Sequence, residues 1–116
     1  MFEKDSIEYK RVVSPGHIRL SAELHGKIVG SVIIFILEKI ALLEKFHVDS
    51  EVRKNGVGTH MLEEVEALCV EQGAFQLLRI GMFCDADSIF EYIAIVQFLR
   101  KRKYKYRGIW LSKKLR

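Results

Sequence analysis

Between residues 46 and 62 the hydrophobic pattern changes from the two-residue period of a strand to the period of a helix, across a pair of glycines. Phe46-His47-Val48 ends an apolar run, Asp49-Ser50-Glu51-Val52 crosses, and Arg53-Lys54-Asn55-Gly56-Val57-Gly58 begins the helix. Beyond Gly58, Met61, Leu62, Val65, Leu68 and Cys69 share one face, while Glu63, Glu64, Glu66 and Glu71 fall largely on the other. Gly73 stands just past the helix end, where a left-handed residue closes it. A junction of this kind commits the chain to a sheet that carries helices.

The flanking segments supply that sheet. Residues 6–13 and 17–25 read as strands around Ser14-Pro15-Gly16-His17, where proline second and glycine third suit a type II turn. His25-Gly26-Lys27 turns into Ile28 to Leu37, β-branched and apolar on both faces, the pattern of a strand covered on both sides. Glu38-Lys39 turns again into Ile40 to Val48. Downstream, Phe75 to Phe83 returns to strand character, and Ser88 with Glu91 forms a capping box for a helix from about Ile89 to Lys101. Tyr104 to Leu115 reads as one last strand. Four strands, helix, strand, helix, strand is an α+β order with a mixed, mainly antiparallel central sheet. No repeat or linker divides residues 1–116, so a single domain is expected.

Composition narrows the class. With 49% hydrophobic and 29% charged residues the chain can bury a modest core and is not disordered. The longest apolar run, Ile28 to Leu37, is too short to span a bilayer. Met1-Phe2-Glu3-Lys4-Asp5 leads into no apolar signal region. Cys69 and Cys84 form neither a CxxC pair nor a disulfide framework, and no His/Cys spacing suggests a metal site. A cytoplasmic protein is expected. The formal charge of +4 is concentrated in residues 100–107, Arg-Lys-Arg-Lys-Tyr-Lys-Tyr-Arg, with Lys113, Lys114 and Arg116 beyond. Such a surface suits a nucleotide-bearing cofactor, nucleic acid stacked on Tyr104 and Tyr106, or simply water.

The junction at residues 53–59 has the chemistry of a phosphate cradle. Glycines let a ligand approach the backbone closely, and the first turn of a helix offers unpaired N–H groups and a positive dipole end. Arg53 and Lys54 add full charges. There is no Gly-Lys-Ser/Thr ending and no GxGxxG, which excludes the two commonest nucleotide loops. The competing reading is a tight strand-to-helix turn with no ligand.

The spacing resembles the Gln/Arg-x-x-Gly-x-Gly/Ala signature of the GNAT family of N-acetyltransferases, with Arg53, Gly56 and Gly58 at its defining positions. Upstream, "AELHGKIVG" is similar to the family's strand-turn-strand, and downstream "QFLRKRKYKYRG" is similar to its Phe-Tyr-x-x-x-Gly-Phe ending. The resemblance implies an acyl-CoA N-acyltransferase-like fold using acetyl-CoA or coenzyme A as cosubstrate, with a small-molecule or protein amine as acceptor. It implies a cofactor loop at Arg53, Lys54, Asn55, Gly56, Val57, Gly58 and Thr59, whose backbone from Gly56 to Thr59 meets the pyrophosphate. It also implies that the main chain of Phe46, His47 and Val48 pairs with the pantetheine arm.

Two departures stand out. The family places helices after its first strand, whereas residues 14–17 leave room only for a turn, so the acceptor site is open or completed by a second subunit. The family's tyrosine acid aligns with Leu99, which cannot donate a proton. Glu44, expected on the strand face of Phe46 and Val48, is the candidate base; an exposed strand carboxylate is the plainer reading. Tyr104 and Tyr92 are substitute acids or simply packed aromatics, and Cys84 is a nucleophile or, lacking a base, an inert thiol. The side chain of His47, on the opposite face from Glu44, is read as structural or surface. A coenzyme A-binding protein of the same fold with weak or no transferase activity is the alternative, with a small basic nucleic-acid-binding module as a third. Residues 89–99 are apolar around most of a helix, which predicts a homodimer.

Overall fold

The computed structural model describes residues 7–53, 55–74, 76–80, 89–107 and 110–115. Four strands open it as an antiparallel meander: β1 (Ile7–Ser14), β2 (His17–Leu24), β3 (Lys27–Leu37) and β4 (Ile40–Val48). A 3₁₀ turn, Ser50–Val52, leads into α1 (Val57–Glu71), and then follow β5 (Gln76–Ile80), α2 (Ile89–Lys101), β6 (Lys105–Arg107) and β7 (Trp110–Lys114). The strands form one sheet in the order β1-β2-β3-β4-β5-β7-β6, with β4 and β5 its parallel pair. No helix among the described residues is long and apolar enough to cross a membrane.

The turn between β1 and β2 is as the sequence predicts. Gly16 has φ 79°, the left-handed value that the third position of a type II turn requires. Its amide donates to Gln72 Oε1 at 3.0 Å, and Gln72 Nε2 donates to the Ser14 carbonyl at 3.1 Å. The end of α1 thereby clasps the turn that stands in place of the expected family helices.

A β-bulge decides what β4 buries. Ile33 pairs with Lys45 and Ile34 with Leu43, which leaves Glu44 without a partner. Ala41 and Leu43 before the bulge, and Phe46 and Val48 after it, are all buried. Strict alternation from Leu43 would have put Lys45 and His47 into the core. The bulge shifts the phase, so the apolar residues stay together on the face that meets α1. There Ile18, Leu20, Ala22, Val32 and Ile34 pack with Met61, Leu62, Val65 and Cys69, all at or near complete burial. Each large aliphatic side chain buried in this way contributes about 1.5–3 kcal/mol.

Both helices lie on that same face. The crossovers β4-α1-β5 and β5-α2-β6 step across the sheet in the same direction, and right-handed connections then place their helices on one side. The rings of Phe46 on β4 and Phe98 on α2 stack at 5.3 Å, which confirms it. The other face carries no helix among the described residues. The expectation that Ile28 to Leu37 is covered on both sides is therefore corrected: Phe35 is 44% and Leu37 73% exposed.

A second correction concerns the chain end. Tyr104 to Leu115 is a hairpin, with β7 inserted between β5 and β6. β7 pairs with β5 from Gln76–Lys114 to Ile80–Trp110. One twelve-residue strand would extend about 40 Å and overrun so short a neighbour. Phe75, residues 81–83 of the expected fifth strand, and the Ser88 cap fall outside the described residues.

Candidate functional site

β4 and β5 separate as they run. Their parallel pairing covers Ile40–Gln76, Ala41–Leu77 and Leu42–Leu78 and then stops. From Leu43 to Val48 the β5-facing edge of β4 has no strand partner among the described residues, so its main-chain polar groups line a gap. The gap opens at the carboxyl ends of the two parallel strands, where open α/β sheets place ligands. Of the sequence-predicted residues, Phe46 and Val48 turn their main-chain groups to this edge, whereas the main chain of His47 between them faces β3.

The floor of the gap is the start of α1. Gly56 is its N-cap with φ 80° and ψ 6°, and no side chain caps the exposed amides. The first turn holds no acidic residue. His60 N–H reaches back to the Gly56 carbonyl at 2.9 Å, so the amides of Val57, Gly58 and Thr59 precede the first intrahelical bond. Unpaired amides at the positive end of a helix dipole favour an anion there.

The loop before it is held locally. Arg53 Nε donates to the Val48 carbonyl at 2.9 Å, tying the loop to the strand it leaves. Asn55 N–H donates to the Val52 carbonyl at 3.3 Å, and its side-chain amide to the Arg53 carbonyl at 3.4 Å. Both side chains shape the loop. Lys54 lies outside the described residues. Gly58 faces the protein rather than the gap: a Cβ there would meet Phe98 and Val48, both 3.5 Å away, and Phe46 at 3.6 Å. These are ordinary contact distances, so the helix-to-sheet packing around Gly58 has room for a methyl group.

Arg102 and Phe98 complete the floor, and the sequence reading missed both. Arg102 Nη2 donates to Thr59 Oγ1 in the first turn of α1, and its guanidinium lies 4.5 Å above the Phe98 ring. The signal was present: Ile95, Phe98, Leu99 and Arg102 recur at helical spacing, so Arg102 extends the buried stripe. It was lost within a run of basic residues.

The remaining candidates separate. Glu44 is exposed at the bulge on the edge of the gap, not in simple register with Phe46 and Val48 as alternation implies. His47 lies on the opposite sheet face, its Nε2 2.9 Å from Asp49 Oδ1. Leu99 is fully buried. Tyr104 is only 1% exposed and donates its hydroxyl to Glu66 Oε2 at 2.8 Å. That burial closes it to a base and keeps it from the gap. Cys84 and the side chain of Tyr92 lie outside what the structure describes.

Comparison with known proteins gives the family and the fold. Residues 2–89 match the acetyltransferase (GNAT) family, and the chain belongs to it. The fold is similar to that of a GNAT-family acetyltransferase from Staphylococcus aureus Mu50, with TM-score 0.72 and 20% identity over 88% of this chain and 70% of that one. It is also similar to an aminoglycoside 6'-N-acetyltransferase complexed with coenzyme A, with TM-score 0.70 and 18% identity over 89% and 75%. A third similar structure is the PaiA N-acetyltransferase from Thermoplasma acidophilum in complex with coenzyme A, with TM-score 0.67 and 18% identity over 83% and 59%. No curated protein sequence matches the chain. At these identities the solved structures establish the acyl-CoA N-acyltransferase fold that the resemblance implies.

Proposed function

We propose that the protein is an acetyl-CoA-dependent N-acyltransferase acting on an amine. The observation that carries this reading is the gap between β4 and β5, set over an uncapped helix start. The strand-free edge of β4 beyond Leu42, where Arg53 already holds the Val48 carbonyl, offers an extended amide chain the main-chain donors and acceptors of a strand neighbour, which is what a pantetheine arm needs. The amides of Val57, Gly58 and Thr59 take a pyrophosphate at the positive end of α1. Arg53 positions the loop by holding the Val48 carbonyl.

When bound, acetyl-CoA supplies a thioester whose acyl carbon passes to the amine nitrogen with loss of the thiolate. The Glu44 carboxylate, placed at the bulge beside the gap, accepts the proton that the amine must lose. The bulge leaves main-chain groups of β4 free to bond the acyl oxygen. Tyr104 is buried against Glu66 and so is not the acid; a thiol is acidic enough to leave as its anion and take a proton from water.

The same fold with cofactor binding but no transfer is the alternative. Incubation with acetyl-CoA and a panel of primary amines separates the two. Free thiol released in step with acylated amine supports transfer; tight binding without thiol release assigns the protein to the second class.

We also propose a homodimer, seated on the helix-free face of the sheet, where Val12, Phe35, Leu37 and Ile40 are exposed. On α2, by contrast, Leu99 is buried and Ile95, Val96 and Phe98 pack on the core, so that among its described large apolar side chains Ile93 is the exposed one. Sedimentation equilibrium at micromolar concentration is expected to give twice 13.5 kDa. A clean monomer overturns the proposal.

A further inference from the structure

The guanidinium of Arg102 stands at the wrong end of a helix. The first turn of α1 carries the positive end of the helix dipole, where acidic groups are favoured and cations disfavoured. Arg102 nevertheless donates to Thr59 Oγ1 within that turn. The Phe98 ring supports it from below at 4.5 Å, and Phe98 is in turn stacked on Phe46. Its Nε is buried with no hydrogen-bond partner. Among the described residues no carboxylate pairs with it. A half-buried cation, an orphaned donor and a helix start of the same sign form an arrangement that repels itself and attracts an anion.

We propose that Arg102 is a phosphate-binding residue, gripping the pyrophosphate of coenzyme A from the α2 side while the α1 amides hold it from the other. This rests on the cofactor reading above and adds a second, side-chain half to the cradle. A planar guanidinium presents paired donors that match two phosphate oxygens. The Thr59 hydroxyl, accepting from Arg102, still has its own proton to donate to the same phosphate. Aromatic support at Phe98 fixes the fork before the ligand arrives, so little side-chain freedom is lost on binding.

Ligand affinity and fold stability should respond differently to the loss of this guanidinium. In Arg102→Met the apolar stem still covers Phe98, and the ligand-free melting temperature should stay level or rise, because the repulsion at the helix start is removed. Affinity for coenzyme A and for dephospho-coenzyme A, measured by calorimetry, should fall about 10- to 100-fold. Arg102→Lys keeps the charge but loses the fork, and should recover only part of that loss. If the parent binds coenzyme A and Arg102→Met binds it equally well, this inference is overturned and the cofactor reading stands. A loss seen with coenzyme A but not with dephospho-coenzyme A would overturn the pyrophosphate assignment by moving the contact to the 3'-phosphate. If Arg102→Met does not fold, full parental affinity in Arg102→Lys overturns the inference. A parent protein that binds neither ligand ends both.

Discussion

Tyr104 donates its hydroxyl to Glu66 Oε2 at 2.8 Å, and Lys113 Nζ donates to the two oxygens of the same carboxylate at 3.0 and 3.1 Å. The three groups join the start of the β6–β7 hairpin to the polar flank of α1. A phenol so placed holds the fold together. Tyr104→Phe removes a hydrogen bond to a charged acceptor and is expected to destabilise by about 1.5–3 kcal/mol, read as a lower melting temperature. Turnover per folded molecule should stay unchanged; a loss of kcat would return Tyr104 to the chemistry.

The same neighbourhood sets an alkaline limit on stability. Burial, with Glu66 nearby, pushes the Cys69 thiol up to about 12 from 9.0, and the same two causes, with the hydrogen bond to Glu66, raise Tyr104 well above 10.0. Both groups keep their protons longer folded than unfolded, so their contribution is whole below about pH 9 and falls as pH rises through the folded values. Denaturant midpoints should decline above that point. Cys69 should also resist alkylation at pH 8 until the protein unfolds. Rapid labelling of the native thiol at Cys69 would contradict its buried position.

The two glycines of the loop should respond differently. Gly56 sits at φ 80°, where an L-residue costs roughly 1–2 kcal/mol, so Gly56→Ala lowers both stability and cofactor affinity. Gly58 is helical and has ordinary contact distance for a methyl group, so Gly58→Ala should be nearly silent. Equal losses in melting temperature for the two variants would contradict the geometry.

Much of this was legible in the sequence, and the exceptions have causes. The turn at Pro15-Gly16, strand β4 and helix α1 follow from local chemistry and periodicity, and the strand-to-helix junction located the candidate site. The bulge at Glu44 did not, because only pairing with β3 reveals that Leu43 and Phe46 belong to one face. The open sheet face was misread because an apolar run such as Ile28 to Leu37 looks the same whether one side or both are covered. Arg102 was missed because its role depends on Thr59, 43 residues away in the chain.

Glu44 carries the chemical prediction. If its carboxylate takes the proton from the amine, Glu44→Gln should lower kcat about 10²- to 10⁴-fold while leaving acetyl-CoA affinity near the parent value. Unchanged turnover would assign the proton to water or another group.

The central claim is that the gap between β4 and β5 and the start of α1 bind an acyl-CoA. Thermal unfolding of the parent protein with and without acetyl-CoA tests it most directly. Ligand at a hundred times its dissociation constant stabilises by about 2.7 kcal/mol, which in a domain this small raises the melting temperature by several degrees. The account predicts that rise with acetyl-CoA, and its reduction in Arg102→Met. A parent protein whose melting temperature does not move at millimolar acetyl-CoA would contradict the account at its root.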